Sequence, residues 1–233
     1  MMRAPDQKRP VLIFHGIGQP RRVLEPGEAV FWISPPRFCE ILDRIKGMGT
    51  DAPEITFDDG NTSDIEIALP ALEKRGLRAV FFLLSARLGQ PGSLSEADVG
   101  RLAAAGHVIG LHGAAHRDWR ALDAAGRQEE FCAARRRLAA LAGAPVTLAA
   151  APFGLYDRSV SAALAAEGVE ALYTSDRGQA TNTAFLRPRN CIEANMPHHT
   201  LEDALHGRVP LARRPRRLLG LARKRLLPAR GAT

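Results

Sequence analysis

Two short stretches carry residues whose types and spacing suit metal chemistry. In EITFDDG, residues 54–60, Asp58 and Asp59 follow an apolar run directly and a glycine turn closes the stretch. Adjacent carboxylates repel, and in a cleft they need a cation or a shared proton. In VIGLHGAAHRDW, residues 108–119, His112 and His116 stand four apart after a second apolar run. That spacing puts both imidazoles on one face of a helical turn, where they suit a shared metal. Gly113 occupies the place where a zincin protease needs a glutamate, so that arrangement is excluded. Two imidazoles and one of the carboxylates make a three-ligand site with an open coordination position. The other carboxylate is then free to take a proton from water.

Those residues need a frame that brings two chain segments to one place. Apolar runs at Val11–Phe14, Ala29–Ile33, Ile55–Phe57, Ala79–Leu84, Val108–Leu111, Val146–Ala149 and Glu170–Tyr173 read as strands, with a weaker one near Leu186. Helical periodicity lies between them. PPRFCEILDRIKGMG places Phe38, Ile41, Leu42 and Ile45 on one face. SDIEIALPALEKRG continues the alternation, with a kink expected at Pro70, and SEADVGRLAAAGH, GRQEEFCAARRRLAALAG and SVSAALAAEG follow. Strand and helix alternating about seven times predict a parallel sheet, closed or nearly so, with its active site at the carboxyl ends of the strands. Both chemical stretches fall on that rim. His107, just before a strand, reads as a loop residue. His15, at the end of the first strand, reads either as a hydrogen-bonded strand-end histidine or as a direct participant.

In combination, TFDDG and HGAAH resemble the signatures of the polysaccharide deacetylases, the NodB-homology carbohydrate esterases of the family 4 type. VLIFHGIG, WISPPRFCEILDRIKGMG, LEKRGLRAVFFL and AAPFGLYD extend the resemblance over most of the chain. The resemblance implies a distorted (β/α)7 barrel of the NodB-homology type. It also implies that Asp58 is the general base and that Asp59, His112 and His116 hold a divalent metal, Zn2+ first. Pro152, Phe153 and Gly154 match the third motif, and the Phe153 N–H is a candidate oxyanion donor. The arginine of that motif, which supports the base, is replaced by Ala150. An arginine from elsewhere is therefore expected beside Asp58, with Arg187 and Arg189 the first candidates. Asp176 is what remains of the fourth motif. His198 or His199 is expected to supply the general acid of the fifth.

Composition limits the partners. The chain has 233 residues, 45% hydrophobic and 24% charged, which suits one large domain. Its three cysteines are far apart and form no metal or disulfide pattern. Nine of the 32 basic residues lie from Arg208 onward, where no acidic residue occurs; the rest of the chain has 23 basic against 25 acidic, a net of −2. No nucleic-acid partner is expected of such a body. The boundary is set at residue 207: a catalytic domain over 1–207 and a basic tail over 208–233. Leu218, Leu219 and Leu221 share one side of the tail and Arg216, Arg217, Arg223 and Lys224 the other. That pattern suits a helix on an anionic bilayer surface, or a disordered solubilising segment. The N-terminus carries too short an apolar run for a signal-peptide core. The expected location is the cytoplasm, with attachment at the inner membrane face through the tail.

The expected function is hydrolysis of an acetyl group, N-linked before O-linked, from a sugar or glycan intermediate. Truncation after Gly207 is expected to spare activity on a soluble substrate. A catalytically impaired member of the fold that binds a glycan or partner is the alternative, suggested by Ala150 and the incomplete fourth and fifth motifs.

Overall fold

Strands and helices alternate along the chain, and the principal strands align in parallel around one axis. The computed structural model describes residues 8–226. The ends of the chain, with the distal part of the tail, lie outside the described residues. In chain order the strands are β1 (Lys8–Phe14), β2 (Gly16–Ile17), β3 (Trp32–Ile33), β4 (Glu54–Asp59), β5 (Ala79–Leu83), β6 (Val108–Leu111), β7 (Leu148–Ala150), β8 (Ala171–Thr174), β9 (Gln179–Thr181), β10 (Leu186–Pro188) and β11 (Asn190–Cys191). The α-helices are α1 (Pro35–Gly47), α2 (Leu69–Glu73), α3 (Glu96–Ala104), α4 (Ala124–Arg127), α5 (Ala134–Ala142), α6 (Arg158–Ala166), α7 (His198–Leu205) and α8 (Arg214–Leu226).

The main sheet runs β10-β8-β7-β6-β5-β4-β1-β11, every neighbouring pair parallel. The antiparallel strand β9 pairs with β1 and lies against β10, so the two margins of the sheet nearly meet. The result is a distorted (β/α) barrel with helices outside. Register sets the rim: Asp59 pairs with Leu83, Leu83 with Leu111, Leu111 with Ala149 and Ala149 with Leu172. The residues just beyond these pairs therefore emerge at one level, at the carboxyl ends.

Alternation along each strand divides the core in two. Phe14, Phe38, Phe57, Phe81 and Leu111 belong to the large layer between sheet and helices. Val11, Val80, Phe82, Ala150 and Tyr173 fill the barrel interior. Helix α1 begins where Ser34 accepts from the Arg37 N–H, and α3 begins with a reciprocal capping box between Ser95 and Asp98.

Three elements differ from the expectation. The run Ala29–Ile33 does not join the barrel: Glu28–Phe31 is a 3-10 turn, and β3 pairs only with β2. Pro70 does not break its helix sharply. A wide π turn over Asp64–Ala68 precedes α2, which accommodates a proline that has no N–H for the preceding turn. His107 is buried, and its Nδ1 accepts the Ala79 N–H at 3.2 Å, tying the start of β6 to β5.

Candidate active site

The rim above β4 and β6 collects the charged residues. A regular strand would point Asp58 and Asp59 to opposite faces. Asp59 instead adopts a left-handed backbone, φ 78°, so both carboxylates line one cavity of about 280 Å³. His116 is also left-handed, φ 57°. Non-glycine residues in this region are strained, and such strain clusters at functional sites.

The two histidines are oriented through their Nδ1 atoms. His112 donates to the Ala150 carbonyl at 2.8 Å, and His116 donates to the Glu25 carboxylate at 3.0 and 3.1 Å. In the neutral ring a proton held at Nδ1 leaves the Nε2 lone pair free to ligate. The Nε2 atoms lie 3.6 Å (His112) and 3.7 Å (His116) from Asp59 Oδ1. That oxygen is buried and accepts no hydrogen bond from the described residues. Ligands about 2.0–2.1 Å from a tetrahedral zinc would be roughly 3.3 Å apart, so a small inward movement suffices. One ligand atom from each residue lies within 4.8 Å of the others, which makes Asp59, His112 and His116 a fitting site for a divalent ion. Burial drives the His112 imidazole down to about 4, so it is in its neutral, ligating form near pH 7. Burial also disfavours the Asp59 charge, but His112, His15 and His116 outweigh it and lower its carboxyl below the usual range.

The loop between the histidines is held by Glu130, fully buried in the helical segment before α5. Its carboxylate accepts the Ala114 N–H at 2.8 Å, the Ala115 N–H at 3.1 Å and the Trp119 indole N–H at 3.4 Å. Gly113 makes this possible: with φ 96°, a Cβ there would sit 2.2 Å from Glu130 Oε2. Sequence reasoning missed Glu130. The available signal was a charged residue on the stripe otherwise made by Ala134 and Leu138.

Asp58 points into the barrel and meets Arg189, which lies between β10 and β11. The guanidinium donates to both carboxylate oxygens, at 2.7 and 2.8 Å, and to Thr56 Oγ1 at 3.1 Å. Burial pulls the Asp58 carboxyl upward, but Arg189 and then His112 pull it down further, to about 2. Asp58 is thus an ionised acceptor throughout the neutral range. The Arg189 guanidinium also lies 5.1 Å from the Phe82 ring centre, in the interior layer that contains Ala150. The small Ala150 side chain leaves that layer open to an arginine arriving from the other side. Arg187, the other candidate, is placed lower in the barrel. It donates to the Tyr173 hydroxyl at 2.9 Å and to the Asn182 and Ala184 carbonyls.

The third wall is the turn after β7. Pro152 is buried, and Phe153 and Gly154 are both left-handed, φ 56° and 66°. A Cβ on Gly154 would lie 1.8 Å from Ser175 Oγ, so only glycine permits this approach to the end of β8. The Phe153 ring, 54% exposed, lies over His116 with ring centres 4.2 Å apart. Glu25, Glu28 and Phe31 also line the cavity. Glu25 also pairs with Arg87, and Glu28 with Arg22. His15 lines the cavity, stacked on Phe31 at 4.8 Å, and its Nδ1 is buried with no hydrogen-bond partner among the described residues.

The remaining expected residues are placed elsewhere. His198 and His199 open α7 and do not line the cavity; His198 is exposed and pairs with Glu202. The helix turns them toward solvent because Leu201, Ala204 and Leu205 take its buried face. Asp176 stands behind the third-motif turn and accepts the Tyr156 hydroxyl at 2.8 Å.

The chain belongs to the polysaccharide deacetylase family, whose model matches residues 47–172. The Bacillus subtilis (strain 168) protein YxkH, which carries the name of a polysaccharide deacetylase, is 24% identical over 186 residues, covering 75% of this chain and 67% of that protein. Two solved structures share the fold. The Streptococcus pyogenes deacetylase PplD, in complex with acetate, aligns at TM-score 0.74 and 19% identity, covering 86% of this chain and 99% of that one. IcaB from Ammonifex degensii aligns at TM-score 0.66 and 21% identity, covering 85% and 96%.

Proposed function

We propose that this protein is a metal-dependent hydrolase that removes an N-acetyl group from a sugar or glycan intermediate. The observation that carries this reading is the convergence of Asp59, His112 and His116 beside an Asp58 carboxylate kept ionised by Arg189. A divalent ion at the triad, zinc being the expected one, would polarise the acetyl carbonyl and acidify water. Asp58 accepts the proton of the attacking water. The Phe153 N–H donates to the carbonyl oxygen as it gains charge. Breaking the C–N bond leaves acetate and an amine that needs a proton. His15 supplies it in this reading: it lines the cavity, and its ring is held flat against Phe31. The exposed positions of His198 and His199 favour His15 over either of them.

The test is metal analysis together with acetate release from N-acetylated and O-acetylated chito-oligosaccharides. Stoichiometric zinc and acetate release, both lost in His112→Ala, are the expected results. Undiminished zinc in that variant would overturn the ligand assignment. Glycan binding without acetate release would replace the enzyme with a binding protein.

The reading includes a place of action, the cytoplasmic face of an anionic membrane. No helix of the described residues is long and apolar enough to cross a bilayer. On α8, however, Leu218 and Leu219 are 62% and 73% exposed, among the exposed Arg214, Arg216 and Arg223. Exposed leucines flanked by arginines suit shallow insertion beneath anionic headgroups. Co-sedimentation with phosphatidylglycerol vesicles at low salt, lost at high salt and in a Leu218→Glu/Leu219→Glu variant, is expected. Absence of binding at low salt would remove the membrane from the proposal.

A further inference from the structure

The face of α8 turned toward the barrel is a basic one. Arg217, Leu221 and Lys224 recur at helical spacing, and all three are partly buried. Arg217 Nε donates to the Asp176 carbonyl at 2.8 Å and the Arg177 carbonyl at 3.0 Å, just beyond β8. Seven residues after Arg217, Lys224 Nζ donates to the Gly154 carbonyl at 3.1 Å and to Asp176 Oδ1 at 2.6 Å. The ammonium also lies 4.8 Å from the Tyr156 ring centre. Tyr156 donates to the other oxygen of the same Asp176 carboxylate. Lys224 is thus the point at which the turn after β7, the turn after β8 and the C-terminal helix are tied together.

We propose that α8 is a positioning element of the active site and that Lys224, through Gly154 and Asp176, holds the Pro152–Gly154 turn in its working geometry. The proposal rests on the deacetylase reading for its catalytic consequence, not for its structural one. Two consecutive left-handed residues, one of them Phe153, persist only where surrounding contacts over-determine them. On one side the turn has Ser175 packed against Gly154; on the other it has the Lys224 ammonium on the Gly154 carbonyl. The turn carries the Phe153 N–H and the ring that lies over His116. A displacement of about 1 Å in such a group is enough to lower a rate roughly 10²-fold. The contact with Lys224 explains why a helix beyond the matched family segment bears on the chemistry. It also reverses the expectation that truncation after Gly207 spares activity on a soluble substrate.

Full-length Lys224→Met, Lys224→Arg and, as a charge-matched control at the exposed end of α2, Lys74→Met decide the matter. Two quantities are read: hydrogen–deuterium exchange of residues 150–157, and kcat and KM for 4-nitrophenyl acetate with metal loaded. Lys224→Met is expected to speed exchange across the turn and to lower kcat about 10- to 100-fold with KM within twofold, the signature of an interaction gained in the transition state. Lys224→Arg should recover part of both, and Lys74→Met should match the parent. If Lys224→Met is indistinguishable from Lys74→Met in exchange and in kcat, the proposal is wrong. If the parent hydrolyses no acetyl probe, exchange alone decides the positioning role and the deacetylase reading is what has failed.

Discussion

The two sides of the cavity are built by different means. On the metal side, Asp59, His112 and His116 come from two short segments, each directly after a strand, and backbone register delivers them to one level. On the acyl side, the supporting groups come from far along the chain: Arg189 reaches Asp58 across 131 positions, and Lys224 reaches Gly154 across 70. The first side is a local pattern repeated at two strand ends. The second is a closure of the barrel by its own C-terminal third. Damage to one side should therefore be separable from damage to the other.

The sharpest separation is at the adjacent aspartates. Asp58→Asn should leave metal content unchanged and lower turnover by about 10²–10⁴-fold, the range of general-base assistance. Turnover near that of the parent would show that another group accepts the proton. Next is Arg189→Met, which strands a buried carboxylate. Breaking such a pair costs about 3–5 kcal/mol of stability, measured by urea unfolding. The double variant Asp58→Asn/Arg189→Met should regain a large part of it. Strict additivity of the two changes would mean that the pair does not act as a unit.

On the metal side, Glu25→Gln keeps the size of the group that orients His116 but removes its charge. Zinc affinity, measured by competition with a chelating dye, should fall about 10- to 100-fold while the exchange rate of residues 150–157 stays unchanged. Unchanged affinity would make Glu25 a wall of the cavity and nothing more. The smallest effect lies away from both sides. Burial, and then Arg78, lower the His107 imidazole to about 4. Because the folded value is below the unfolded one of about 6.5, stability is full above that pH and declines as pH falls toward 4. Between pH 7 and pH 5 this group should account for about 2 kcal/mol of lost stability. The parent should lose that much more than His107→Gln over the same interval. Equal losses would mean that His107 is not held neutral in the fold.

Much of this protein was legible without coordinates, because much of it is local. Six of the seven apolar runs became parallel strands of the main sheet, and turn residues at Gly76, Gly106, Gly143 and Gly168 ended the helices between them. The spacing of Asp58, Asp59, His112 and His116 needed only the rule that residues after parallel strands share a rim. Ala29–Ile33 misled because an apolar run of strand length has no periodicity that separates a strand from a covering loop. The expected arginine beside Asp58 had two candidates two residues apart, and alternation along an extended chain could not choose between them. In the barrel Arg187 and Arg189 sit at different depths, and only the upper one reaches the rim.

What the sequence by itself determined was therefore the kind of site: which strand ends carry an Asp-His-His group suited to a divalent ion, and that a second carboxylate stands beside it. The tertiary structure alone decided the supporting cast. Glu25 lies 91 positions from the histidine it orients, and Lys224 48 from the aspartate it meets. His15, read as undecided from sequence, is placed in the cavity, whereas His198 and His199 are turned outward by a helix that buries its leucines. The physical reason is range. Strand and helix periodicities are written in neighbours a few residues apart, but a charge buried in a barrel is satisfied by whichever segment the closure of the sheet brings beside it.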